Sequence, residues 1–462
     1  MGKRLAEADL GPRFQGRDDA KVNPLTLAKV DRFSTFSIDV DTAAYSIARR
    51  SLIAERMPTP SLVRVEEFVN FFRYGYELPP EDGVFAVEAT GSRSPIDPSK
   101  HLVRIGVQAR TIDEVDRKPV NLVFLVDTSG SMASRDKLAL AQRALSVAVE
   151  RLDERDQVAI TTYAGGVRLV LPPTSGAHKS EILRALRRLK SGGGTAMGSG
   201  MQLAYSQARV MMSGEDEVTR VIVCSDGDAN IGATSPDAIL ETVGQYVKDG
   251  IRMSTIGFGQ GNYQDYMMEQ LANRGNGNYF YIDSMRQAER VFGRDLFKML
   301  EDVAQDVKIQ VEFDSDKVAA YRLIGYENRD IADEDFRNDA VDAGEIGAGH
   351  QVTALYEVLL AEEAEGKLAN IRVRAKRPGG EFAKEVSFGV ERRHVERPFA
   401  EGAADFRFAV AAMAGAELLR GSPYAEGWTY RRVIEVATRD DRPDPDREEF
   451  VALMRTADQL TR

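Results

Sequence analysis

Between Leu122 and Ile282 short apolar runs alternate with longer amphipathic stretches, and this alternation restricts the fold more than any other feature of the chain. Leu122 to Val126, Gln157 to Tyr163, Arg168 to Leu171, Val221 to Ser225 and Met253 to Gly257 read as strands, with Tyr279 to Ile282 as a last edge strand. Ser134 to Arg151, His178 to Leu189, Gly198 to Met212, Pro236 to Lys248 and Tyr263 to Arg274 carry helical periodicity between them. Strands joined through helices predict an α/β, Rossmann-like, doubly wound sheet covered on both faces.

The loops that leave these strands are rich in oxygen donors. Asp127-Thr-Ser129-Gly-Ser131 ends the apolar run Val120 to Val126 and puts one carboxylate and two hydroxyls on a single turn. These are hard ligands, suited to a divalent cation such as Mg²⁺. A Gly-rich loop, Ser191-Gly-Gly-Gly-Thr195, and a second strand end, Val221 to Asp226, each add a further donor. Ligands of open α/β sheets bind beyond the carboxyl ends of the strands, and Asp127 and Asp226 both fall at such ends. Ser and Asp in these places also cap helices. The order Asp127, Ser129, Ser131, Thr195, Asp226, with the D-G-D-A-N-I-G turn from Asp226 onward, favours a cation site over simple capping.

At 462 residues the chain is too long for one ordinary core, so two to four domains are expected. A formal charge of -11 argues against a nucleic-acid partner, which selects clustered Lys and Arg. Cys224, the single cysteine, lies in an apolar run where a small buried residue is wanted. His101, His178, His350 and His394 are scattered without zinc-site spacing. No stretch approaches the roughly 20 apolar residues of a membrane span, and the residues up to about Val22 read as a polar linker without the apolar core of a signal peptide.

Outside the alternating region the pattern changes. Phe33 to Ile38 reads as a strand leading into Asp39-Val-Asp41-Thr42, with Asp41 or Thr42 capping a helix from Ala43 to Arg56. A second helix, Val63 to Phe72, places Val65, Phe68, Val69 and Phe72 on one face, a core stripe. Asp39-Val-Asp41 suggests the paired aspartates of haloacid-dehalogenase phosphatases, but Thr42 comes one position early and no matching lysine follows, so capping is the better reading. Val84 to Ala89 and Leu102 to Ala109 alternate like strands, as do Val307 to Phe313, Tyr321 to Tyr326, Gln351 to Val358 and Ile371 to Ala375. The early pair would be orphaned without the later ones, which predicts one β-sandwich built from both flanks with the α/β domain inserted in it. Helices are expected from Ala404 to Leu419, Thr429 to Thr438 and Arg447 to Gln459. The expected boundaries are 1–30 (flexible), 31–80 (helix and strand), 81–117 and 303–397 (sandwich), 118–302 (α/β) and 398–462 (helical).

Asp127, Ser129 and Ser131 resemble the D-x-S-x-S of the metal-ion-dependent adhesion site of von Willebrand factor A (VWA) domains, Thr195 its threonine and Asp226 its distal aspartate. The resemblance implies that the serines bind Mg²⁺ directly (Mn²⁺ or Ca²⁺ being alternatives), that Thr195 and the aspartates bind it directly or through water, and that a partner's carboxylate completes the octahedron. More widely, Phe36 to Thr42, Arg64 to Asn70, Leu102 to Gly106 and Phe408 to Tyr430 resemble bacterial YfbK-type VWA proteins. That likeness implies an extracytoplasmic, cell-envelope setting and, by analogy with A domains, a last helix near Ala288 to Leu300 able to shift. The expected function is a non-enzymatic, metal-dependent binding module whose protein partner offers an Asp or Glu carboxylate. A scaffold or accessory subunit of an envelope assembly is the alternative, and a Mg²⁺-dependent hydrolase a weaker one: the Gly-rich loop lacks the lysine of a nucleotide-binding P-loop, and Ser129 and Ser131 have no histidine near them in sequence.

Overall fold

The computed structural model describes residues 22–462 apart from 39, 195, 215, 228–235, 260–264, 342, 363, 381 and 440–442. The chain forms two compact units: Ile112–Asp302 is one, and the residues before and after it make up the other.

The 112–302 unit is built on a six-stranded sheet in the order Tyr279–Ile282, Ile251–Phe258, Val218–Ser225, Val120–Asp127, Gln157–Tyr163, Val167–Ser175. All neighbours are parallel except the last pair, an antiparallel hairpin. All eight residues of the central strand Val120–Asp127 are buried. Side chains alternate across a strand, so Val120, Leu122, Phe124 and Val126 share one core with Leu138, Ala141, Leu145 and Val149 of the helix Leu138–Arg151. Met197–Met211 packs on the same strand, and cover on both faces explains the uninterrupted apolar run. The helix expected from Ser134 begins only at Leu138. Ser134 Oγ donates to the Asp136 carboxylate at 2.5 Å, a local bond that competes with helix formation.

In the other unit two antiparallel sheets face each other. One has the order Thr26–Leu27, Val318–Ile324, Gln351–Leu360, His101–Ala109, Phe85–Arg93. The second runs Ile346–Gly347, Asp302–Phe313, Lys367–Lys376, Ala383–Glu391, with Phe33–Ser37 also paired to Asp302–Phe313. Gln351–Leu360 pairs directly with His101–Ala109, so the sandwich is woven from both flanks of the α/β unit. Phe313 from one sheet stacks on Tyr321 of the other at 4.2 Å. Ala43–Ile53, Val65–Phe71, Ala404–Arg420, Tyr430–Ala437 and Pro445–Leu460 share one apolar core, centred on Tyr45, Phe71, Phe72, Phe408 and Phe450. Gly415 lets two of these helices approach, because a Cβ there would come within 2.8 Å of Met454 Sδ.

The expected cap of the first helix is corrected by the structure. Thr42 makes no side-chain capping bond; instead the Ala44 N–H donates to the Glu67 carboxylate at 2.7 Å. Asp41 pairs with Arg329 at 3.2 Å, and Asp39 lies outside the described residues.

Candidate metal site and family

Asp127 is the last residue of its strand, and Asp226 directly follows the neighbouring strand Val218–Ser225. Parallel pairing of Val126 with Cys224 sets the two strand ends side by side. Ser225 Oγ accordingly donates to Asp127 Oδ2 at 3.2 Å. The other oxygen, Oδ1, accepts the Ser129 N–H at 2.8 Å, which folds the turn back over the carboxylate. Ser129 Oγ and Ser131 Oγ then stand 2.8 Å apart. The Gly-rich loop docks on this turn through two backbone bonds, Gly130 N–H to Gly193 O at 3.1 Å and Gly192 N–H to Thr128 O at 2.8 Å. Gly193 has φ +91, and a Cβ there would press on Gly165 N at 3.0 Å, so both torsion and space call for glycine. Thr195 and most of the turn after Asp226 lie outside the described residues.

Burial dominates the electrostatics. Asp127 is fully buried and Asp226 nearly so. Loss of solvation pushes the Asp127 carboxyl above the ordinary carboxylate range; the Ser129 bonds oppose that shift and the Asp226 charge adds to it. Tyr163, buried against Asp127, has its phenol pushed up by burial first and by the Asp127 charge second. Burial also pushes up the thiol of Cys224, which leaves no ready thiolate near neutral pH.

The donor set fits a small, hard cation. Mg²⁺–O distances of 2.0–2.1 Å place adjacent ligand oxygens about 2.9 Å apart, close to the separation of the two serine hydroxyls. All the donors are oxygens, and among the described residues no group of three or more His, Cys, Asp or Glu side chains forms an alternative centre.

Residues 121–294 match the von Willebrand factor type A domain family, and residues 298–460 match the family described as uncharacterized protein YfbK, C-terminal. A third match, to a family described as von Willebrand factor, covers residues 15–104. The uncharacterized protein YfbK of Escherichia coli (strain K12) is 36% identical over 97% of this chain and 81% of its own length. The chain belongs to the YfbK family. It therefore contains a VWA domain, a module of the protein-interaction and adhesion type. An uncharacterized protein of Synechocystis is 30% identical over 44% of this chain and 47% of its own length. Among solved structures, a von Willebrand factor type A protein from Catenulispora acidiphila matches with a TM-score of 0.49 and 18% identity, over 83% of this chain and 91% of that one.

Reading strand ends misses the residues that hold the nominated ones in place. Ser225 braces Asp127. Lys137, ten residues after Asp127, donates to Asp226 Oδ2 at 2.8 Å and to Ser131 O at 3.0 Å. The sequence reading, with a helix from Ser134, puts Lys137 inside that helix; the structure sets it directly before Leu138–Arg151, where the helix dipole disfavours a cation unless an anion faces it.

Proposed function

We propose that the VWA domain of this chain is a metal-dependent protein-binding module that takes a partner's Asp or Glu carboxylate at Asp127, Ser129, Ser131, Thr195 and Asp226. The observation that carries this reading is the convergence of Asp127, Ser129, Ser131 and Asp226 at the carboxyl end of one sheet, with the two hydroxyls spaced as neighbouring ligands. Bound there, Mg²⁺, or Mn²⁺ or Ca²⁺ in its place, supplies an open coordination position for the incoming carboxylate. The protein's part is positioning. Ser225 and the Ser129 N–H fix both oxygens of Asp127, and the Gly-rich loop holds the serine turn from its other side. Specificity falls to the surrounding loops, because loops carried on a rigid scaffold can change without disturbing the core.

The VWA character of the domain supports binding over hydrolysis. The proposed setting is the bacterial cell envelope, on the extracytoplasmic side, by resemblance to the family. An accessory role in an envelope assembly would use the same site. No helix among the described residues is long and apolar enough to cross a membrane.

Titration calorimetry of the purified chain with Mg²⁺, Mn²⁺ and Ca²⁺, beside Asp127→Ala, tests the site. Binding by the wild type that Asp127→Ala loses, with an unchanged far-UV spectrum, is the expected result. Partner capture that persists undiminished in excess chelator would sink the proposal.

A further inference from the structure

Resting on the cation-site reading above, we propose that Lys137 is the resident cation of this site: its ammonium group holds Asp226 in the metal-free protein and sets the threshold for loading a divalent ion. The ammonium lies 2.8 Å from Asp226 Oδ2 and 3.0 Å from the carbonyl oxygen of Ser131, so it touches two of the nominated residues at once. The Asp226 side chain is 1% exposed and that of Lys137 16%, so the contact is shielded from the solvent that weakens surface ion pairs. The lysine stem follows a built path. It crosses Gly259, where φ is +87 and any Cβ would collide with the Lys137 methylenes. The Gly259 carbonyl is itself held by the Tyr281 hydroxyl. Gly259 therefore leaves room for this one side chain to reach across from the serine turn to Asp226.

Placing the charge here works against the helix that Lys137 precedes, since unpaired N–H groups already make that end positive. The compensation is Asp226. A divalent ion entering the site has to share Asp226 with the ammonium or displace it, and repulsion between the two cations lowers affinity. A partner's carboxylate adds the negative charge that restores the balance, so the resting site stays weakly loaded until a ligand arrives.

Lys137→Met removes the charge and keeps a stem over Gly259; Lys137→Gln serves as a second variant, and Lys137→Arg retains the charge. Calorimetry with Mg²⁺ and Mn²⁺ on the full chain is expected to show both neutral variants binding at least about tenfold tighter than wild type, with Lys137→Arg close to wild type. In excess chelator Lys137→Met should melt below wild type, because the Lys137–Asp226 ion pair is lost, and Mg²⁺ should raise its melting temperature more than that of wild type. Equal or weaker binding by folded Lys137→Met and Lys137→Gln, where wild type does bind, overturns this inference and leaves the cation site standing. Silence from wild type and neutral variants alike overturns both.

Discussion

Both ring nitrogens of His101 are buried without a hydrogen-bond partner among the described residues, facing an apolar cavity between the two sheets beside Val103, Ile105, Phe313 and Tyr356. Burial, followed by the charges of Arg392 and Arg93, pushes its pKa from 6.5 down to about 4. The folded chain thus binds fewer protons than the unfolded chain between those two values. Stability is fully present above pH 6.5 and is lost as pH falls through this window toward 4. Urea midpoints measured from pH 7.5 to 4 should slope downward in wild type, and the slope should shrink in His101→Leu; identical slopes would remove His101 as the cause. Composition alone shows His101 only as one of four scattered histidines. Its environment comes from strands on either side of the 112–302 unit in sequence, which no local window contains. Lys137 was hidden for the same reason: its partner Asp226 is 89 residues away. Asp127, Ser129, Ser131 and Asp226 were legible because strand ends can be read locally, from where an apolar run stops.

At the scale of elements, the apolar runs of the α/β unit announced its buried strands, and the misreadings fall where tertiary contacts overrule local pattern. The outer strand is read from the sequence only as Arg168 to Leu171, ending before Pro172 and Pro173. It continues to Ser175, since an outer strand has a free side on which missing N–H donors cost nothing. The first helix looked self-capped, but its donor is met by Glu67 from the next helix. Another contact between elements lies at the amino end of the central strand. Arg117 binds both oxygens of Asp156 at 2.8 and 2.7 Å and reaches Asp153 at 2.7 Å. Asp156 also accepts the N–H groups of Val120 and Asp153, and the guanidinium lies 4.1 Å from the centre of the Phe297 ring. Removing one member of a buried ion pair strands the other charge, at a cost of about 3–5 kcal/mol. Arg117→Ala should lose stability of that order in chemical denaturation, and the additional change Asp156→Asn should recover part of it. A loss below about 1 kcal/mol would place this pair with ordinary surface bridges.

On the scale of the whole molecule, an inserted domain needs its two ends close together, because the host chain has to leave and rejoin at neighbouring points. The 112–302 unit meets this condition with its own side chains: the Lys118 N–H, near its start, donates to the Glu301 carboxylate, near its end, at 3.1 Å. Arg220, buried on a central strand, donates to the Leu300 carbonyl at 3.2 Å and to Ser254 Oγ at 2.9 Å, anchoring the closing helix to the sheet. The apolar core around Leu122, Phe124, Leu145, Ile222 and Phe292 is likewise drawn from this unit alone. Hydrophobic burial and end closure are thus both internal, which is what independent folding requires. The excised segment 112–302 should therefore melt in one cooperative transition and keep whatever divalent binding the full chain has. In the remaining chain Gln351–Leu360 still finds His101–Ala109, and a short Gly/Ser link in place of the insertion adds only a small loop-closure cost. That shortened chain should also fold, giving the antiparallel-sheet signature in circular dichroism. An excised 112–302 that aggregates or melts without cooperativity would show that the α/β unit draws stability from its host, and that the two must be treated as one folding unit.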